Sequence, residues 1–122
     1  MKRALSMLLI VAPLLAPGSW LAAEESSSRQ VEFGLKVAQK GLWQEARFRF
    51  ERAVELDPQN ASALNDLAVA LEQMGEFEGA RKAYEKALAL KPGDVYIQQN
   101  YDLFREADDK RNRKSRRKKA QP

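Results

Sequence analysis

The sequence predicts an all-α fold of stacked helical hairpins, two repeats closed by a C-terminal helix, because a long repeat runs through it and apolar residues recur at helical spacing. The repeat covers residues 41–92 and has a period of 34 residues, since Gly41 returns as Gly75 and Pro58 as Pro92. A period of this length is typical of stacked helix pairs. The other matched positions pair Trp43 with Phe77, Ala46 with Ala80, Phe50 with Tyr84, Glu51 with Glu85, Ala53 with Ala87, and Leu56 with Leu90.

Residues 1–23 have the three parts of a secretory signal peptide. Two basic residues precede an apolar run over residues 4–16, and the segment ends at the small residues Ala22 and Ala23. Cleavage there predicts an exported, periplasmic protein, with residues 24–26 as a polar linker. An uncleaved segment anchored in the inner membrane is the alternative, although two prolines and a glycine interrupt a span that needs roughly 20 apolar residues. The sequence contains no Cys, which argues against a lipid anchor at the cleavage site.

Five helices account for the sequence from residue 27 onward. Ser27 and Gln30 fit a capping box at the start of the first helix, and Gly41 ends it with the left-handed conformation that glycine adopts readily. Asn60 and Asp94 are expected to cap the third and fifth helices. The second, third and fourth helices are expected over about residues 44–56, 61–74 and 76–90, so that the two repeats cover residues 27–60 and 61–94.

The last helix is expected to act as a cap over residues 95–109. Ile97, Tyr101 and Phe104 form one apolar stripe along it, which would cover the open face of the second hairpin. No apolar residue follows Ala107 until Ala120, so the helix is expected to fray into a basic, disordered tail over residues 110–122.

Charge and composition restrict the chemistry. The sequence contains no Cys and no His, which excludes disulfides, thiolate metal sites and catalysis by Cys or His. The acidic residues alternate with Lys and Arg at spacings of three and four, as on a solvated helix face. We therefore expect no enzyme activity, no catalytic residues, no metal or cofactor site and no small-molecule substrate.

The repeated residues resemble the tetratricopeptide repeat (TPR) family. In the first unit the matching positions are Phe33, Gly34, Val37, Gly41, Trp43, Ala46, Phe50, Ala53 and Pro58. In the second unit they are Leu64, Leu67, Ala68, Leu71, Gly75, Phe77, Ala80, Tyr84, Ala87 and Pro92. The resemblance implies a non-catalytic protein with a concave groove, lined by the first helix of each unit, that binds a segment of another protein.

The resemblance also indicates which side chains would line that groove. The positions of the family's carboxylate clamp read Val31, Leu35, Asp66, Tyr96 and Asn100 here, so the clamp is absent. A mixed, mildly acidic groove would suit an extended peptide that is basic or uncharged. The first helix would contribute residues that include Leu35, Ala38 and Gln39, and the candidate contacts beyond it are Asn65, Asp66, Val69, Tyr96, Gln99 and Asn100.

The basic tail is the other candidate binding element. Residues 24–109 carry 11 Lys or Arg against 17 Asp or Glu, whereas residues 110–119 carry eight Lys or Arg and no acid. The tail could solubilise the protein, bind an anionic membrane surface or acidic partner, or contact the acidic body of a second copy. Export and the lack of aromatic residues argue against nucleic acid. Its cations are Lys110, Arg111, Arg113, Lys114, Arg116, Arg117, Lys118 and Lys119.

Two functional hypotheses follow from the sequence. The first is an adaptor of the bacterial cell envelope that binds a protein or peptide in the groove. The second is a tail-driven binder of anionic envelope surfaces or acidic partners through residues 110–119.

Overall fold

The structure, a computed structural model, describes residues 25–122, so the predicted signal peptide lies outside the described residues. Five α-helices make up this part of the chain, which confirms the all-α hairpin fold. Their bounds are α1 Ser27–Gln39, α2 Trp43–Leu56, α3 Ala61–Gln73, α4 Phe77–Leu90 and α5 Val95–Ala120.

The helices form two hairpins and a closing helix. Helix α1 packs on α2, and α3 packs on both α2 and α4. Helix α5 packs on α4 and on α3, at the open side of the second hairpin. The first helices of the successive units, α1, α3 and α5, therefore lie side by side, since α3 contacts both of the others.

The two hairpin turns have the same construction. Gly41 and Gly75 have φ angles of +74° and +76°, in the region that favours glycine. After α1, Leu42 N donates to Val37 O at 3.1 Å, and after α3, Glu76 N donates to Leu71 O at 2.9 Å. This is the Schellman arrangement, which satisfies carbonyl groups at the end of a helix. The repeat in sequence is therefore also a repeat in backbone hydrogen bonding.

The predicted capping box at the start of α1 is wrong by one residue. Ser26, not Ser27, caps the helix, because its Oγ accepts a hydrogen bond from Arg29 N at 3.2 Å. Ser27 Oγ instead donates to Ala53 O at 2.8 Å and accepts from Asn60 Nδ2 at 2.9 Å. Ser27 thus joins α1 to the last turn of α2 and to the residue that caps α3.

Three aromatic rings fill the core, namely those of Phe50, Tyr84 and Phe104. The ring of Tyr84 lies 5.4 Å from that of Phe104 and 5.9 Å from that of Tyr101, centroid to centroid. This cluster fixes α5 to α4, as the apolar stripe of the last helix predicts. Trp43, Phe77 and Tyr101 are only partly buried, at the edges of the core clusters.

The predicted disorder after residue 109 is wrong, because α5 continues to Ala120. A polar anchor replaces the missing apolar stripe. The buried Asp108 carboxylate pairs with Arg81 of α4 and lies 3.2 Å from Arg111 Nη2. The Arg111 guanidinium in turn stacks 3.5 Å above the Phe77 ring centroid. Beyond Arg111, the Lys and Arg residues have a high helix propensity, and their positive charge is favourable near a helix C-terminus.

Gly34 provides a test of how closely α1 and α2 pack. A Cβ at this position would lie 2.5 Å from Cε1 of the buried Phe50 ring. We expect Gly34→Ala to lower the free energy of unfolding by about 1 to 3 kcal/mol, because the buried Phe50 ring would have to shift to admit the methyl group. Urea unfolding followed by circular dichroism measures this change.

Gly79→Ala is the matched control for that variant. A Cβ there would lie 3.4 Å from Cδ1 of Leu71, an ordinary van der Waals contact, so we expect no loss, or a gain of up to about 1 kcal/mol from better helix propensity. Equal effects of the two substitutions would show that the Gly34 and Phe50 contact does not limit the packing of the first hairpin.

Asp108 provides a second test, of the anchor that supports the end of α5. We expect Asp108→Asn to lower the free energy of unfolding by about 1 to 3 kcal/mol, since it leaves two arginines without their carboxylate. We also expect the Cα chemical shifts of residues 110–120 to move towards coil values. Asp109→Asn, at an exposed neighbour, is the control. Unchanged shifts in the Asp108 variant would mean that the extension is helical without this anchor.

Candidate peptide-binding groove

A hollow of about 300 Å³ lies where α1, α3 and α5 meet. Helix α2 forms its floor, to which the buried Phe50 and the partly buried Trp43 contribute. Apolar and amide groups make up most of the wall. The lining residues are Leu35, Ala38 and Gln39 of α1, Trp43 and Phe50 of α2, Asn65, Asp66 and Val69 of α3, and Asn100 of α5.

The structure brings four of the six candidate groove contacts to this hollow, namely Asn65, Asp66, Val69 and Asn100. Gln99 lines a different, more open hollow of about 560 Å³ along α5, with Val95 and Leu103 among its neighbours. Tyr96 lines neither hollow, and its side chain is 80% exposed. Five of the six candidates therefore line two different hollows, and Tyr96 lines neither of them.

Helical spacing predicts only that the Trp43 and Phe50 rings face inward, and it does not show that both form the floor of the hollow. Periodicity indicates that a ring faces inward, but a ring that is covered and a ring at the base of a hollow produce the same pattern. Gly34 indicates that a large ring packs closely against α1, but it carries no signal about whether that ring also borders a hollow.

A chain of side-chain hydrogen bonds in the wall of the hollow joins α5 to α3. Asn100 Nδ2 donates to Asn65 Oδ1 at 3.1 Å. Asn65 Nδ2 donates to Asp66 Oδ1 at 3.3 Å. The two amides are thus oriented by each other, and the hydrogen bonds end on the carboxylate. Groups held in this way by rigid helices are already positioned for a ligand.

Asp66 is partly buried, and no ion pair to it is found within residues 25–122. Burial raises the pKa of this carboxyl group from 3.8 to about 6, and the hydrogen bond from Asn65 offsets only part of that rise. Tyr84 is close enough that the Asp66 charge contributes to raising the pKa of its phenol, after burial and Glu72. Asp66 is therefore a carboxylate without a cation in the wall of the hollow.

The predicted cationic tail is helical, and four of its eight cations share one side of the helix. Lys110, Arg113, Lys114 and Arg117 line a common surface at spacings of three and four residues. Arg116 lies with Asp109 and Asn112 around another side of the same helix. Lys118 and Lys119 are exposed in the last turn.

Arg111 differs from the other cations of the tail. Its guanidinium is committed to Asp108 and to the Phe77 ring. The structure thus separates one structural arginine from seven exposed cations. Within residues 25–122, no helix has the length and apolarity needed to cross a membrane.

The fold and the hollow define a helical-repeat protein of the kind that binds other proteins. The tetratricopeptide repeat family matches this chain over residues 32–95, which is more than half of its length. The chain therefore belongs to the tetratricopeptide repeat family.

Three curated relatives show similarity to part of this chain. The type IV pilus assembly protein PilF of Pseudomonas aeruginosa is 31% identical over 81 residues, which cover 66% of this chain and 32% of PilF. The lipoprotein NlpI homolog of Haemophilus influenzae is 31% identical over 83 residues, covering 68% of this chain and 26% of that protein. The human aspartyl/asparaginyl beta-hydroxylase is 33% identical over 60 residues, covering 49% of this chain and only 8% of that enzyme.

The chain thus spans about a third or less of the length of these relatives. Among solved structures, the TPR domain of Sgt2 from Aspergillus fumigatus superposes with a TM-score of 0.68 at 20% identity. The superposition covers 72% of this chain and 60% of that domain. This likeness supports the fold. Repeats of this family form scaffolds that mediate contacts between proteins and are typically non-catalytic.

The raised pKa of Asp66 makes stability depend on pH in a defined direction. The folded protein holds the Asp66 proton more tightly than the unfolded chain, so ionisation of this group opposes folding. Below about pH 4 both states are protonated and the effect is absent. We expect Asp66→Asn to become more stable than the parent protein as the pH rises through about 6, by about 1 to 2 kcal/mol after allowance for the exposed part of the carboxylate.

Urea unfolding at several pH values between about 3.5 and 7.5 measures the difference. Asp102→Asn is the control, because Asp102 is an exposed carboxylate that accepts a hydrogen bond from Gln98. A difference between Asp66→Asn and the parent protein that does not change with pH would contradict the assigned burial of Asp66.

Proposed function

We propose that this protein is a non-catalytic adaptor of the bacterial cell envelope that holds an extended segment of another protein in the Asn65 groove, the hollow where α1, α3 and α5 meet. The observation that carries the proposal is the hydrogen-bonded pair Asn65 and Asn100, which places oriented amide groups beside an uncovered apolar wall. Amides of this kind can pair with the N–H and C=O groups of an extended peptide, while Leu35 and Val69 contact its side chains.

The absence of Cys and His from the sequence supports a non-catalytic role. Asp66 also has no second acid or base beside it in the hollow, because the other residues lining the hollow are uncharged, and this gives no support to acid–base catalysis. The match to the human hydroxylase does not favour catalysis, since it covers only 8% of that enzyme.

Two features support a place in the envelope. Residues 1–23 have the composition of a signal peptide. Two relatives are described as a pilus assembly protein and a lipoprotein. We propose export to the periplasm on these grounds, with retention in the inner membrane through an uncleaved segment as the alternative.

A second function is favoured by the basic side of α5. Four cations, Lys110, Arg113, Lys114 and Arg117, lie along one line of an ordered helix. An anionic membrane surface attracts such an array with roughly 1 kcal/mol per basic residue near the surface. The alternative proposal is therefore that α5 binds anionic envelope surfaces or acidic partners while the repeats present it.

One comparison separates the two functions. Asn65→Ala combined with Asn100→Ala removes the amide pair, and exchange of the four cations for Gln removes the charge of the basic side but keeps Arg111. Partners are captured from envelope extract at low and high salt and identified by mass spectrometry. We expect the groove variant to reduce capture of its partner by about tenfold or more, since two hydrogen bonds of about 1 kcal/mol each are lost.

An exposed residue away from both candidate surfaces serves as the control. Gln59→Ala removes an exposed amide from the turn between α2 and α3 and should change nothing. Tyr96→Ala and Gln99→Ala report how far the ligand extends along α5. Partners that are lost only with the four cations or in high salt would favour the second function. If neither set of changes affects the capture of any partner, both proposed functions are contradicted.

A further inference from the structure

Asp66 is the one charged residue among those that line the Asn65 groove. The other eight are apolar or carry neutral amides. Asn65 supplies the one hydrogen bond recorded to this carboxylate within the described chain. An ionised carboxylate has about four acceptor positions, so most of the acceptor capacity of Asp66 is unused.

The preceding repeat shows that this arrangement is not required by the fold. Glu32 stands 34 residues before Asp66, at the equivalent position of α1. Its carboxylate is exposed and pairs with Lys36 Nζ at 3.0 Å, one turn further along the helix. The residue one turn beyond Asp66 is Ala70, which is buried and has no charge to offer. The protein thus pairs the acid in one repeat and leaves it unpaired in the next.

An unpaired carboxylate in a partly buried wall opposes folding. Packing does not account for it, since Asn has nearly the same size and would keep the hydrogen bond with Asn65 without the charge. A cost to stability that packing does not explain is characteristic of functional positions.

The surroundings of Asp66 match the parts of a basic side chain. Leu35, Ala38 and Val69 offer apolar contact for a methylene stem. Trp43 also contributes to the floor, and indole is the aromatic group that attracts a guanidinium or ammonium group most strongly. A volume of about 300 Å³ is at the lower end of the range for ligand sites, which suits one side chain.

We propose that the hollow at Asp66 is a subsite for a basic side chain, arginine or lysine, that projects from the extended segment of a partner protein. The inference rests on the proposed function and adds to it the class of residue that the partner presents. Asp66 supplies the counter-charge, Asn65 and Asn100 contact the neighbouring peptide groups, and the carboxylate repels a partner's free C-terminus.

The protein's own basic helix cannot occupy its own subsite. Asn100 and Lys110 belong to the same continuous helix, and ten residues at 1.5 Å each separate them by about 15 Å along its axis. Among basic helices of this protein, only that of a second copy could reach the hollow. Peptide binding with and without residues 110–122 distinguishes that occupant from a partner protein.

Short peptides test the subsite directly. The probes are acetyl-Ala-Ala-Arg-Ala-Ala-amide, its lysine analogue, and its citrulline analogue, which keeps the shape of arginine without the charge. They are titrated into the isotopically labelled protein, with the side-chain amide signals of Asn65 and Asn100 followed by NMR. We expect the arginine and lysine peptides to shift both signals saturably, and the citrulline peptide to bind at least tenfold more weakly.

Asp66→Asn should weaken the arginine peptide at least tenfold and leave the citrulline peptide unchanged. This variant is expected to fold, because it removes an unpaired charge, and its circular dichroism spectrum checks that it does. Asp102→Asn removes an equal charge from an exposed position and should leave every affinity as it was.

Three results would overturn the proposal. If the arginine and citrulline peptides bind alike, the groove binds peptides without a basic preference, so the proposed function stands and this inference fails. If no peptide shifts the Asn65 and Asn100 signals, the subsite is wrong, and capture from envelope extract decides the proposed function separately. If the arginine peptide binds only after deletion of residues 110–122, the occupant is the basic helix of a second copy.

Discussion

The rings of Phe50 and Tyr84 hold the stack together, and most other features of the structure depend on where they lie. They occupy the same position in successive repeats, and both are almost completely buried. Phe50 closes the first hairpin against bare backbone at Gly34. Tyr84 closes the second hairpin beneath Phe104 of α5. One repeated position thus joins two hairpins and a terminal helix into a single body.

The two rings also explain why the groove lies where it does. Phe50 borders the hollow, whereas the Tyr84 ring packs against Tyr101 and Phe104. The second ring needs a polar partner for its hydroxyl group, which donates to Glu72 Oε2 at 3.1 Å. A third hairpin is not needed, because α5 buries the surface that another repeat would cover. The repeats therefore end with a closed core and leave a binding surface between the first helices.

The fold could be predicted from the sequence because its determinants are periodic. The glycine turns and the buried aromatic and alanine positions each occur twice, and the two copies support each other. Features that occur once were harder to predict. Ser26 and Ser27 are adjacent and chemically identical, so their separate roles are decided only by which hydroxyl group reaches Ala53 and Asn60. The extension of α5 depends on the pairing of Asp108 with Arg81 on another helix.

The candidate site was predictable in part, for a related reason. Family positions identify which residues lie on the inner helices, and four of the six chosen residues meet at one hollow. The family positions do not give the rotation of α5 relative to α3. That rotation places Asn100 against Asn65 and leaves Tyr96 in solvent. The floor of the hollow was not predictable from periodicity, because Trp43 and Phe50 also satisfy the requirements of a core.

The length of α5 has a consequence for the whole molecule. Its 26 residues extend for about 39 Å, and the part beyond Arg111 is an exposed basic rod fixed to an acidic body. Separated charges of opposite sign on a stiff frame form a large permanent electric dipole. Near any charged surface such a molecule experiences a torque, so it arrives with one end foremost and not in random orientations. The direction in which the Asn65 groove faces would then be set before the first contact is made.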